Sequence, residues 1–362
     1  MQNRVYIIQK ASEVKAIEFA ENLEILIDFK TPELSDMFAA MRAVADSGYI
    51  GSDAGFANIY LLRKKYGTLI ALHDGFLFRY YNGEGSRRGY AFPLGADDSR
   101  IALDLIVKDS QESGRPLEFC LVDEPRAEIL RDYFTNTLDD ARIGQTLHFE
   151  HNRGDSDYIY SAESLANLPG NTYRKKRNHI SKFNRTYTRF ELRKITRENI
   201  AEVLEIEKNW LGNGEAGTPY NAHRERYCDP VNDCEQDAWA EYSEDEKSRL
   251  AEFCAIQESL QNFEELGMKG GLLYVDEKPV GMTLASEITS GVWDIHFEKV
   301  IGEYAVNGGY AVINKMFAET LTEVRLINRE EDINIEGLRK AKLSYYPLII
   351  LDKCHVSVSS SA

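Results

Sequence analysis

Three stretches of the 362-residue sequence carry side chains whose types and spacing could hold or transform a charged ligand. The first is Lys175-Lys176-Arg177-Asn178-His179, inside a longer basic segment over 170–189 of a chain whose formal net charge is −16. The overall field of an acidic chain repels polyanions, so cations gathered in one place point to an anion held locally. The second is Asp294, His296 and Glu298, which a strand period of two puts on one face, with Trp293, Ile295 and Phe297 on the other. Thr283 and Glu287 of the preceding strand join the polar side in one register. A histidine and carboxylates in a cleft take a proton from an attacking amine. His296, Glu298 and Glu287 are therefore the candidate catalytic residues, the alternative being the wet face of a half-exposed sheet.

The third stretch is Asn328-Arg329-Glu330-Glu331-Asp332, followed by Arg339, Lys340 and Lys342. A cation and three carboxylates directly after a strand stand where open α/β sheets bind ligands. The plainer alternatives are a helix cap at Asp332 and cations that offset a helix dipole. Asn307-Gly308-Gly309 precedes a helix whose first amides could hold an anion, and a simple turn explains it equally well. Together with residues 175–179, Asn307, Gly308, Gly309, Asn328, Arg329, Glu330, Asp332, Arg339, Lys340 and Lys342 form the candidate substrate- or phosphate-binding set.

At about 100° per residue, the basic segment places Tyr173, Ile180, Phe183 and Tyr187 in one apolar arc. Arg174, Lys175, Lys182, Arg185 and Arg189 fall opposite, as a solvated face would. Lys176 projects into the apolar arc and Arg177 onto its edge. Two inward cations either meet a carboxylate or line a phosphate-sized cavity. Asn178 goes outward and His179 to a flank, where each either contacts a ligand or bonds local backbone.

The elements that must position these residues follow from pattern. A chain this long exceeds one ordinary core, and we expect two domains, 1–155 and 156–362, divided near the turn-rich HNRGDSD at 151–157. In the first, apolar runs at 59–64, 69–73, 76–81 and 88–92 read as a meander. A helix at 99–113, a strand at 117–121, a helix at 125–134 and a strand at 146–151 follow. In the second, a helix at 162–168 capped by Ser161 precedes the basic helix, a strand at 190–194, a helix at 197–210 and a long loop over 211–233. Strands at 272–275, 280–288 and 292–300 make another meander, followed by a helix at 309–320, a strand at 324–328, a helix at 336–343 and a strand at 346–352. Residues 356–362 read as a frayed tail. Both halves run through meander, helix, strand, helix, strand, so the fold class is α/β with mixed sheets, of duplicated type.

Composition excludes other classes. A 43% hydrophobic content with 28% charged residues describes a folded chain, not a disordered one. No apolar run approaches the roughly 20 residues of a membrane helix, and MQNRVYIIQKASE lacks a signal-peptide core, so the expected location is cytoplasmic. Five scattered cysteines suit reduced thiols, and without paired CxxC spacing no metal centre is expected. The acidic balance argues against DNA as a partner.

The motifs Asp157-Tyr158-Ile159-Tyr160, Leu168-Pro169-Gly170, Lys175 to Ile180, Phe263 to Gly271, His296-Phe297-Glu298-Lys299 and Asn328 to Pro347 give the sequence a family likeness, with weaker matches at Phe56-Ala57-Asn58 and Pro93-Leu94-Gly95. It resembles the phosphatidylglycerol lysyltransferase C-terminal-domain family. The resemblance implies tandem duplicated Gcn5-related N-acyltransferase-like domains. It also implies transfer of an aminoacyl group from aminoacyl-tRNA to the amine or hydroxyl of a small-molecule, peptide or lipid head-group acceptor, with no tightly bound cofactor. Membrane-bound relatives add a many-helix domain not present in this sequence. Acyl-CoA as donor is the alternative, but Val300 to Gly309 departs from the Gln/Arg and Gly-x-Gly/Ala loop that coenzyme A enzymes place there. A non-catalytic anion-binding module on the same scaffold is the third reading.

Overall fold

The computed structural model of the chain describes residues 27–83, 87–136, 145–212 and 243–360. Most of the expected loop over 211–233 lies outside the described residues.

Helices α1 (Met37–Ser47), α2 (Phe56–Leu61) and α3 (Arg63–Tyr66) lead into β1 (Thr68–His73), β2 (Phe76–Asn82) and β3 (Arg88–Ala91). These strands form an antiparallel meander. After α4 (Ser99–Ser113), β4 (Glu118–Asp123) lies parallel to β3; α5 (Glu124–Asn136) and β5 (Gln145–His151) follow. The Asp98 side chain caps α4 by accepting from the Arg100 amide, and Gly114 ends it at φ +76. The expected strand at 59–64 is instead the end of α2 and the start of α3. Every residue of α2 is buried, and so short an apolar run carries no period that separates a strand from a buried helix.

The second sheet begins at β6 (Asp157–Ser161), which is followed by α6 (Ala162–Asn167), α7 (Arg174–Thr186), β7 (Phe190–Lys194), α8 (Ile200–Gly212) and α9 (Glu244–Gln261). The meander β8 (Lys269–Val275), β9 (Lys278–Thr289) and β10 (Val292–Val300) precedes α10 (Gly302–Val306) and α11 (Gly309–Thr320). Next come β11 (Leu326–Asn328), parallel to β10, then α12 (Glu336–Leu343) and β12 (Ile349–Leu351). The repeated order of meander, helix and strand stands in both halves, and in each the strand after the helical crossover pairs in parallel with the last strand of the meander.

The last strand, β13 (Lys353–Ser360), corrects the frayed tail. It lies between β4 and β5 in the first sheet, antiparallel to both, so each backbone edge is paired. The sheets change between β5 and β6, near the expected boundary, but the chain end returns to the first sheet. A single cut at 155/156 therefore splits that sheet. The two units also share one core, in which Ala40, Val44, Phe56 and Ile59 join Ile206, Ile256, Met282 and Leu284.

Glu207, on α8, is fully buried, and neither carboxylate oxygen has a hydrogen-bond partner among the described residues. Burial outweighs the pull of the Lys299 ammonium and pushes its pKa up to about 7. The folded chain therefore keeps a proton that the unfolded chain releases, so stability falls as pH rises from about 4.5 to 7 and the penalty is complete above that. Glu207→Gln is expected to stabilise the protein by roughly 3 kcal/mol at pH about 8 and not at pH about 4. Thermal melts at the two pH values check this.

Candidate functional site at the parting of two parallel strands

α7 forms in spite of its charge because Ile180, Phe183 and Tyr187 recur at helical spacing and pack together on the second sheet. Burying Phe183 alone contributes roughly 1.5–3 kcal/mol. The same phase turns Lys176 inward, where its Nζ lies 3.5 Å from the centre of the Tyr345 ring. Burial first, then the Arg329 guanidinium, bring the Lys176 pKa down to about 8 against the opposing pull of Glu298.

The pair β10 and β11 opens the site. The two strands are in register only over Val292–Asp294 and Leu326–Asn328. Beyond this, β10 stays with β9 as far as Val300. The segment after β11 stays with β6: the Arg329 amide donates to the Tyr158 carbonyl at 3.0 Å, and the Tyr158 amide to the Glu330 carbonyl at 3.2 Å. With different partners, the strands part. Across the opening, Arg329 Nη2 meets Glu298 Oε1 at 2.8 Å and Asn314 Nδ2 of α11 donates to Glu298 Oε2 at 3.3 Å. The Arg329 guanidinium also lies 5.0 Å from the Tyr345 ring centre and 5.8 Å from that of Tyr160. Lys176, Glu298 and Arg329 thus converge among aromatic walls.

His296 does not join them. Ile295 stands opposite Ala285 and Phe297 opposite Leu284, so His296 is the extra residue of a β-bulge. Slipping by one residue exchanges the faces of everything that follows. Trp293 and Ile295 pack with Phe317 of α11, and Glu298 faces the same helix. Phe297 enters the shared core on the other side. This corrects the expectation that Asp294, His296 and Glu298 share a face. Glu287 also lies elsewhere: its Oε1 accepts from the Gly291 amide at 3.1 Å and closes the turn between β9 and β10.

On the far side of the sheet, His296 Nε2 lies 2.8 Å from Ser286 Oγ, while Nδ1 is 3.4 Å from Asp294 Oδ2 and 3.6 Å from Glu330 Oε1. Deeper, Lys353 Nζ of β13 bridges Asp53 and Asp157, each at 2.8 Å. Arg79 holds Asp53 at 2.7 Å and Arg87 holds Glu331 at 2.6 Å. Burial alone would raise the Glu331 carboxyl, but Arg87 and Lys353 bring it down to about 2. Asn328, fully buried, donates to Asp157 at 2.8 Å and so belongs to this seam between the units. Asp53, Arg79 and Lys353 escaped the sequence reading. Their only signal is a charge set in an otherwise apolar pattern.

The remaining candidates divide. Arg177 Nη1 donates to the Leu168 carbonyl at 2.5 Å, capping α6 where Leu168 turns left-handed, so it is a local brace. Lys175, Asn178 and His179 are exposed, and burial with the neighbouring Lys176 and Lys182 holds the His179 pKa below its usual value. Asn307 donates to the Tyr187 hydroxyl at 2.9 Å. A Cβ on Gly308, at φ +105, would stand 2.5 Å from the His179 carbonyl oxygen, and one on Gly309 2.7 Å from that of Tyr304. These residues let the neighbouring helices approach closely. Arg339 grips Asp332 at 2.7 and 2.9 Å. Burial would raise that carboxyl, but Arg339 and the Tyr158 hydroxyl bring it down to about 2. Lys340 pairs with Glu336 on the exposed side of α12. Lys342 is buried and donates to the carbonyls of Arg329 and Glu330, holding Glu330 at φ +57. An open surface cleft lined by Asp98, Arg100, Glu128 and Asp132 lies in the first unit, formed by α4 and α5, away from this site.

A meander, a helical crossover to a parallel strand, and a polar cluster where the parallel strands part define an acyltransferase-like α/β protein. The chain belongs to the family described as phosphatidylglycerol lysyltransferase, C-terminal, which it matches over residues 45–353. A conserved protein of unknown function from Bacteroides thetaiotaomicron is 30% identical, with a TM-score of 0.74 over 92% of this chain and 100% of that one. L-PGS from Bacillus licheniformis shares the fold at 12% identity, with a TM-score of 0.56 over 91% and 92% of the two chains. An uncharacterized protein of Mycoplasmoides gallisepticum is 25% identical over 203 residues, and the chain spans only 56% of that relative's length. No described helix is long and apolar enough to cross a membrane.

Proposed function

We propose that the protein transfers an aminoacyl group from aminoacyl-tRNA to an amine or hydroxyl acceptor at the parting of β10 and β11. The observation that carries this reading is the convergence of Lys176, Glu298 and Arg329 at that opening. The acceptor attacks the ester carbonyl and passes its proton to the Glu298 carboxylate. The bond between the carbonyl carbon and the ribose oxygen then breaks, and the leaving oxygen takes the proton held by Glu298. Arg329 holds Glu298 in place, and protonated Lys176 stabilises negative charge on the carbonyl oxygen or a terminal phosphate. His296 has no part in this chemistry, since it faces the opposite side of the sheet. Acyl-CoA as donor is less well supported, because its diphosphate would need the 307–309 turn that packs against α7.

The test is discharge of aminoacyl-tRNA by the purified protein in the presence of a pool of amine and hydroxyl acceptors, with tRNA binding followed against salt. Failure both to bind and to discharge at low salt would sink the reading. If protonated Lys176 matters, the rate declines as pH rises through about 8. Lys176→Arg keeps its charge throughout and is expected to lose that decline. An unchanged profile would remove Lys176 from the mechanism.

A further inference from the structure

On the face of the second sheet away from Glu298, Asp294, His296 and Glu330 bring three ligand atoms within 4.8 Å of one another. We propose that these residues bind a divalent transition-metal ion, with zinc the best fit to their donors, at the junction of the two units. The inference is independent of the aminoacyl-transfer reading. Cysteine spacing could not foresee it, because the donors are one imidazole and two carboxylates.

Three observations carry it. Asp294 is completely buried, and neither of its oxygens has a hydrogen-bond partner among the described residues. A buried carboxylate left that way is costly. Its surroundings do not compensate: Glu330, Asp157 and Glu331 add negative charge around it, with Lys353 the opposing cation. A divalent ion supplies the missing charge.

The spacing is also right. Oxygen or nitrogen ligands about 2.0–2.1 Å from a tetrahedral ion stand about 3.3–3.4 Å apart. His296 Nδ1 lies 3.4 Å from Asp294 Oδ2 and 3.6 Å from Glu330 Oε1.

Finally, the ring is already aimed. His296 Nε2 lies 2.8 Å from Ser286 Oγ, which leaves Nδ1 for the ion, the second hydrogen bond that ligating histidines regularly make. The strand period sets this ring on the face of Asp294, and the bulge turns Glu298, the next polar residue, to the other side. The Glu330 side chain is 25% exposed, which offers the ion a way in and room for a water ligand. Asn58 of α2 donates to Glu330 Oε1 at 3.1 Å, so the ion would tie the first unit to β10 and the segment after β11.

The experiment uses the full chain stripped with EDTA, then titrated with zinc and separately with manganese while heat of binding and Tm are followed. One ion per chain and a rise in Tm with zinc are expected. Glu330→Gln should weaken uptake at least tenfold. Asp294→Asn should abolish the zinc-dependent rise in Tm. His296→Gln is read in the same way, so the failure of one variant to fold leaves two others. No Tm response at millimolar zinc or manganese would overturn the proposal. Uptake unchanged in the folded variants would overturn it too.

Discussion

Glu298→Gln should lower aminoacyl transfer by about 10²–10⁴-fold, the range that a positioned proton acceptor contributes. The amide keeps the shape of the carboxylate and an oxygen for Arg329, which bonds Glu298 at 2.8 Å. The loss should therefore appear in kcat rather than in donor binding. Arg329 is left without its counter-charge, so the variant is also expected to melt earlier, and its rate must be measured where it remains folded. Asp332→Asn controls for lost charge near the site: that carboxylate is engaged by Arg339 on the α12 side and should leave kcat within a few-fold of the parent. A Glu298→Gln rate within about threefold of the parent would remove this residue as the proton acceptor.

Lys353→Met should destabilise the folded chain by about 3–5 kcal/mol, as expected when one member of a buried ion cluster is removed and its partners are left charged. The ammonium is 2.8 Å from both Asp53 and Asp157 and almost wholly buried. Both acids keep other partners: Arg79 holds Asp53, while Ser52 and Asn328 donate to Asp157. That caps the loss but does not remove it. Because Lys353 opens β13, the damage reaches the middle of the first sheet, where β4 and β5 lose a shared neighbour. Denaturant unfolding measures it, and adding Asp157→Asn should recover part of the loss. A change below about 1 kcal/mol would mean that the seam contributes little to holding the units together.

Two kinds of information separate in this chain. Where a pattern repeats along one element, local geometry was enough: the helical phase of 173–187 put Phe183 into the apolar arc and turned Lys176 inward, where the structure sets it against Tyr345. The strand period failed in β10, because one bulged residue exchanges the faces and both faces are buried. The alternation of Asp294, His296 and Glu298 with aromatics offers no cue to the slip.

By itself, then, the sequence determined the mixed α/β class, the repeated meander, the family, and the inward turn of Lys176, all of which rest on short-range periodicity and motif. Only the tertiary structure decided that Glu298 parts from His296 and meets Arg329, that Glu330 joins His296 and Asp294 on the opposite face, and that the chain end closes the first sheet. Those outcomes depend on strand pairing between residues far apart in the chain, where hydrogen-bond register, rather than local preference, chooses each side chain's neighbours.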